Sequence, residues 1–320
     1  MSEYYVEVKN LKKYFQTPHG MLHAVDGVDF TIDKGKTIGI VGESGCGKST
    51  MGRVMTRLLN ATGGEILFKG ENILKLKGKD LKKFRKRVQI IFQDPFSSLN
   101  PRKTVYDTIA EPLLIHKVYR DKRDLENRVY ELIEVVGLAE RLVNSYPHEL
   151  DGGRRQRIGI ARALALDPEF IVCDEPVSAL DVSIQAQILN LLKHLQQRFG
   201  YTYMFITHNL SVVKHFSNDV LVMYLGQMVE KAPVRELYAN PRHPYTQALL
   251  SAIPVPSLEK RTKRILLQGE ITSPIDPKDA CRFADRCNYA TDQCHNSNPP
   301  ITDLNGGHTI RCWNHEKLSR

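Results

Sequence analysis

A strand that runs straight into a glycine-rich loop and then a helix restricts the fold of this chain more than any other feature. Thr37-Ile38-Gly39-Ile40-Val41 is a short continuous apolar run, the pattern of a strand covered on both faces. Gly42-Glu43-Ser44-Gly45-Cys46-Gly47-Lys48-Ser49-Thr50 follows at once and fits the spacing G-x-x-x-x-G-K-[ST]. A helix is expected from about Ser49 to Leu59. In that setting the glycines let backbone N–H groups turn inward on phosphate oxygens, and the helix N-terminus adds positive potential. Lys48 reaches the β- and γ-phosphates and Ser49 offers its hydroxyl to Mg²⁺. The candidate phosphate-binding residues are therefore Gly42, Ser44, Gly45, Cys46, Gly47, Lys48, Ser49 and Thr50, with Cys46 read as a small filler.

Phosphoryl chemistry also needs acid groups, and Phe170-Ile171-Val172-Cys173-Asp174-Glu175 supplies a pair at the end of an apolar strand. Acids in that position lie at the carboxyl edge of a parallel sheet, where the phosphate loop is also expected. Asp174 would orient Mg²⁺ through its water shell, and Glu175 would polarise the attacking water. Acid pairs after strands are common, so this signal draws its weight from the loop that precedes it.

The rest of the chain alternates in the same style. Residues 4–8 and 25–32 read as strands, and residues 60–76 as further strand and turn, an antiparallel region near the front. Val88-Gln89-Ile90-Ile91-Phe92 is another buried strand, and residues 105–166 have helical periodicity, clearest at 121–136. Strands at 170–173, 202–206 and 220–224 and a helix at 183–199 complete the alternation. The fold class is α/β, a mostly parallel sheet with a helical subdomain at about 95–166. After Ala252 the composition shifts to proline and cysteine, with Pro254, Pro256, Pro274, Pro277, Pro299 and Pro300. The domains are read as 1–252 and a small irregular extension, 253–320.

Hydrophobic residues at 42% and charged residues at 25% are an ordinary globular balance. No apolar run approaches the roughly 18–20 residues of a membrane span, and Met1-Ser2-Glu3-Tyr4 does not open like a secretion signal. The expectation is a soluble, cytosolic chain; if it serves a membrane, it does so through a partner. Net charge is +9, with nine basic residues in 69–87 against Glu71 and Asp80. A solvated helical face explains that run, or attraction to anionic lipid or acidic partner loops. Stacking aromatics for nucleic acid are not interleaved there beyond Phe84, so no nucleic-acid partner is expected.

With these residues in order, the chain resembles the ATPase subunits of ABC transporters across roughly residues 4–250. The resemblance rests on the phosphate loop, Gln93 in Phe92-Gln93-Asp94-Pro95, Leu150-Asp151-Gly152-Gly153-Arg154-Arg155-Gln156-Arg157, the acid pair, Ser178-Ala179-Leu180-Asp181 and His208 in Ile206-Thr207-His208. It implies a P-loop NTPase fold, ATP and Mg²⁺ as cofactors, and ATP hydrolysis. It implies that Phe15, or else Tyr14, stacks on adenine, and that Gln93 touches Mg²⁺ and water and relays movement to a membrane subunit. His208 resembles the switch histidine at the γ-phosphate, and Asp181 the aspartate of the dimer contact. The family works as a head-to-tail dimer, each ATP lying between one phosphate loop and the other subunit's signature helix. Asp151, Gly152 and Gly153 would therefore line a partner's nucleotide.

Here the chain departs from the pattern, because Asp151 stands where the family has serine. A carboxylate facing the γ-phosphate is a like-charge contact, offset in part by Arg154 and the helix N-terminus. A heterodimer with a second, non-identical ATPase and unequal sites is the expected arrangement. Residues 93–101 and 240–250 are similar to the oligopeptide/dipeptide importer branch, whose partners are two transmembrane permease subunits and, indirectly, an extracytoplasmic substrate-binding protein. Nickel and glutathione importers share these features, and a soluble non-transport ABC ATPase is the remaining alternative. Peripheral attachment to the cytoplasmic face of the membrane follows from the resemblance.

Four cysteines, Cys281, Cys287, Cys294 and Cys312, are spaced C-x5-C-x6-C-x17-C. That is looser than most structural zinc knuckles, and four thiolates suit zinc or an iron–sulfur cluster. The branch resemblance points to a structural [4Fe–4S] cluster. His295, His308 and His315 lie nearby and are read as structural or exposed.

Overall fold

The structure, a computed structural model, describes residues 4–253, 264–267, 269 and 272–318. Pro254 and Pro256, which mark the compositional boundary, lie outside the described residues. The chain forms two compact units, Met1–Lys75 with Phe205–Arg320, and Leu76–Met204.

In the first unit, Val6–Thr17 pairs antiparallel with Gly20–Ile32 on one side and with Gly63–Phe68 on the other. Strands expected at 4–8 and 25–32 are thus 12 and 13 residues long. Bulges account for the difference. Asn10 takes a positive φ of 45°, and its N–H donates to Asp29 Oδ1 at 2.8 Å. The register shifts there, so the side-chain alternation breaks although the strand continues.

Thr37–Val41, buried at all five positions, pairs in parallel with Asp219–Tyr224 in the same unit. That strand returns antiparallel as Gln227–Pro233, which then pairs with Thr309–Ile310. The core against this sheet includes Val41, Val222, Tyr224, Tyr245 and Phe283. Phe283 lies well beyond the compositional boundary, so the cysteine-bearing segment is packed into the same core as the phosphate-loop strand.

In the second unit, Val88–Ile91 and Phe170–Asp174 pair in parallel. Helices occupy Val105–Ile115, Lys122–Val135, Gly152–Leu164 and Val182–Phe199. Their starts follow local chemistry. Thr104 and Asp107 make a reciprocal capping box, and Asp121 accepts from the Arg123 N–H at 2.8 Å. The last helix stops at Gly200, whose φ of 72° only glycine adopts readily. The basic helix Gly78–Arg87 buries only Phe84, which agrees with a solvated charged face. Among the described residues, no helix is long and apolar enough to cross a membrane.

Candidate functional site

The phosphate loop leaves the buried strand at Gly42, and its glycines are there for space as well as conformation. A Cβ on Gly42 would lie 2.2 Å from the Met223 carbonyl oxygen, and one on Gly47 would lie 1.9 Å from that of Ala24. Both residues also have positive φ, 151° and 101°. No other residue fits either place. Lys48 begins the helix Lys48–Met55, is 4% exposed, and bends back over the loop. Its Nζ donates to the carbonyls of Gly42 at 2.8 Å and Glu43 at 2.9 Å. Ser44 and Gly45 are exposed at the loop tip, whereas Ser49 and Thr50 are half-buried in the first helical turn. Cys46 is buried and its thiol is pushed up by that burial, as a filler would be.

Two further expected residues share this unit. The Thr207 N–H donates to the Ile40 carbonyl at 3.1 Å, so exposed His208 follows a turn held beside the strand that feeds the loop. Phe15 is half-buried, with the Lys13 ammonium 4.6 Å from its ring centre. Tyr14 is committed elsewhere. Its ring stacks on His23 at 3.9 Å, and its hydroxyl donates to Asp26, which also pairs with Arg282. Burial and Asp26 hold the Tyr14 phenol protonated.

In the second unit the acid-ended strand closes on Asp174, 2% exposed, and the chain turns sharply at Glu175, φ 47°. Gln93 Nε2 donates to Glu175 Oε2 at 3.1 Å, so two residues 82 apart in sequence meet. Asp94, next to Gln93, caps the short helix Pro95–Ser98 by accepting from the Phe96 N–H at 2.8 Å. That bond holds the Asp94 carboxyl below its usual range. Asp151 is the N-cap of Gly152–Leu164 and accepts from the Arg154 N–H at 2.8 Å, with Arg154 Nε 3.5 Å from its other oxygen. Gly152 and Gly153 face Leu180 and Ile184, and a Cβ on Gly153 would lie 2.7 Å from Ile184. Asp181 caps Val182–Phe199 through its backbone.

The four C-terminal cysteines converge. Cys281, Cys287, Cys294 and Cys312 line one small cavity with Phe283 and Trp313. The Cys281 N–H donates to the Cys294 carbonyl at 2.8 Å, and none of the four is in a disulfide. Burial, with the neighbouring thiols adding to it, pushes Cys281 up to about 12 and Cys312 up to about 11. The donor set fits a group that takes four thiolates, and such a group would lower these values. The side chains do not stand in ligating geometry, as no three His, Cys, Asp or Glu among the described residues are arranged to hold a metal ion. Convergence on one cavity is therefore the observation that bears on this site.

The sequence model of the ABC transporter family matches residues 25–178, and that of the oligopeptide/dipeptide transporter C-terminal region matches residues 229–294. The oligopeptide transport ATP-binding protein OppF of Bacillus subtilis is 58% identical over 266 residues, covering 83% of this chain and 87% of that protein. AppF of the same organism, also an oligopeptide transport ATP-binding protein, is 51% identical over 317 residues and 96% of each chain. This chain is an ABC transporter ATP-binding subunit of the oligopeptide/dipeptide branch.

Solved structures agree with the fold of this ABC subunit. The cassette MJ0796 in a dimeric post-hydrolysis state with ADP and Pi matches with TM-score 0.66 and 31% identity, over 72% of this chain and 99% of that one. The protein cbiO1 of Clostridium perfringens, part of a cbiONQ transporter complex, matches with TM-score 0.66 and 28% identity, over 74% and 92%. An ABC subunit binds and hydrolyses ATP. Sequence reasoning did not single out Glu43, Arg286, Glu230 or Arg282. Arg282 and Arg286 sit between Cys281 and Cys287, but nothing in that spacing says that they turn inward while Asp285 stays exposed. Their partners are too far along the chain to be guessed.

Proposed function

We propose that this ABC subunit powers uptake of di- and oligopeptides by hydrolysing MgATP at the cytoplasmic face of the membrane. It would pair with a second, non-identical ATPase and drive two transmembrane permease subunits, with cargo delivered by an extracytoplasmic binding protein. The loop amides and Lys48 hold the phosphates, Ser49 and Asp174 serve Mg²⁺, and Phe15 stacks on adenine. Glu175 polarises the attacking water, Gln93 orients it, and His208 contacts the γ-phosphate. The Gln93–Glu175 contact at the end of a buried strand is the observation that carries the hydrolytic reading. The peptide cargo is supported by likeness to oligopeptide transport proteins over almost the full chain.

Asp151, Gly152 and Gly153 form the face offered to the partner's nucleotide. The Asp151 carboxylate caps its own helix and lies beside Arg154, so part of its charge is taken up locally. The remainder opposes a γ-phosphate, and the site it lines is the weaker of two. Purification of the chain from the membranes of its host tests the assembly. Two different membrane-spanning chains and a second, non-identical ATPase are expected to accompany it. Recovery with copies of itself alone, or with nucleic acid, would remove the transport reading and leave the ATP chemistry standing.

Cys281, Cys287, Cys294 and Cys312 would hold a [4Fe–4S] cluster as a structural cross-link of the extension, with zinc as the competing occupant. The cluster would supply four metal–thiolate bonds and no redox step in transport. Anaerobic purification should yield about four iron and four sulfide per chain. A colourless protein with zinc, or with neither metal nor sulfide, would end the cluster reading.

A further inference from the structure

Glu43 is the second residue of the phosphate loop, and every polar group it has is held. Its N–H donates to the Tyr245 hydroxyl at 2.8 Å, and its carbonyl accepts from Lys48 Nζ at 2.9 Å. Its carboxylate is gripped by both arms of one guanidinium. Arg286 Nη1 lies 2.7 Å from Oε2, and Nη2 lies 3.2 Å from Oε1. The Arg286 side chain is 8% exposed and also reaches the Tyr224 hydroxyl at 3.4 Å. Arg286 closes the single turn Ala284–Arg286, which lies between Cys281 and Cys287. Phe283 anchors that turn in the core, edge-on to Tyr224 at 5.2 Å.

A carboxylate in a loop that receives a polyphosphate is a like-charge liability, more so when partly desolvated. A bidentate Arg–carboxylate pair removes the liability and fixes the side chain's direction. We propose that Arg286 is a positioning residue for ATP binding: by neutralising and holding Glu43, the cysteine-bearing extension sets the affinity of the phosphate loop for nucleotide. This rests on the reading that Gly42 and residues 44–50 hold the phosphates of ATP, with the Glu43 side chain turned to Arg286.

The test is equilibrium binding of a fluorescent ATP analogue to the purified full-length chain, with its melting temperature recorded for each variant. Arg286→Ala should weaken binding by about tenfold, and Arg286→Lys, which keeps the charge but loses the fork, by about threefold. Glu43→Gln should change affinity by less than about twofold, and the double variant Glu43→Gln with Arg286→Ala should return to within about threefold of wild type. That recovery separates charge compensation from a clamp that merely holds the turn, because loss of a clamp would persist in the double variant. Should Arg286→Ala fail to fold, Arg286→Gln takes its place in the same cycle. Unchanged binding by the Arg286 variant, or a double variant as weak as the single, overturns the inference and spares the loop reading. A wild-type chain that binds no nucleotide overturns both.

Discussion

Replacing Glu175 with glutamine should lower the ATPase rate of the assembled transporter by about two to three orders of magnitude while ATP affinity stays within about twofold of wild type. The size of the side chain is preserved and the Gln93 contact retains an acceptor oxygen, so the turn after Phe170–Asp174 has no reason to move. What disappears is the negative charge that, in the proposed mechanism, would make a bound water more nucleophilic as it approaches phosphorus. Phosphoryl transfer depends on positioning and electrostatics more than on covalent help, so the loss falls on turnover and not on binding. The same experiment addresses the unequal sites. This chain's phosphate loop faces a partner's intact signature in the proposed pair, so its own site is the productive one. A residual rate above about a tenth of wild type would show that Glu175 is not the residue that activates water, or that the partner's loop carries the work.

Truncating Glu230 to alanine should destabilise the fold by about 3–5 kcal/mol, the cost of stranding the partners of a buried charge. Glu230 lies in Gln227–Pro233 with no exposed surface. One oxygen accepts from the Arg242 N–H at 2.8 Å and meets His308 Nε2 at 2.8 Å; the other accepts from the His243 N–H at 3.0 Å. A single carboxylate thus ties the turn that starts the helix Pro244–Ser251 and the C-terminal hairpin to one strand. His243 depends on the same dry setting. Burial pulls its pKa down to about 4, and the neutral ring accepts from the Tyr245 N–H at 3.1 Å. In Glu230→Ala two backbone amides and an imidazole lose their partner with little water to replace it. Thermal unfolding followed by circular dichroism should show a midpoint lower by roughly 10 °C for a unit of this size. Glu230→Gln, which keeps an acceptor oxygen but turns an amide toward a donor, should fall between. A midpoint within about 2 °C of wild type would mean that the network closes again without the carboxylate.

How far this protein can be read in advance depends on the range over which each feature is encoded. Thr37–Val41, the loop after it, Phe170–Asp174 and Val182–Phe199 are legible because alternation, helical periodicity and glycine or capping residues act within a dozen positions. The family resemblance added roles to those positions, and the comparisons bear out the ABC fold and the ATPase. Strand Val6–Thr17 is legible only to residue 8, since the bulge at Asn10 flips the side-chain faces without ending the strand. The long-range pairs are of another kind. Glu43 and Arg286 are 243 residues apart, and Glu230 and His308 are 78 apart. Nothing local says which of 45 Lys and Arg side chains will meet which of 36 Asp and Glu. Charge is visible in the chain, but its partner is chosen by the backbone that brings the two together. Here the packing of Phe283 beside Tyr224 and Tyr245 carries the Cys281–Cys287 turn to the phosphate loop. Local chemistry therefore identifies the phosphate loop and the acid-ended strand, while packing across the chain decides which side chain holds Glu43.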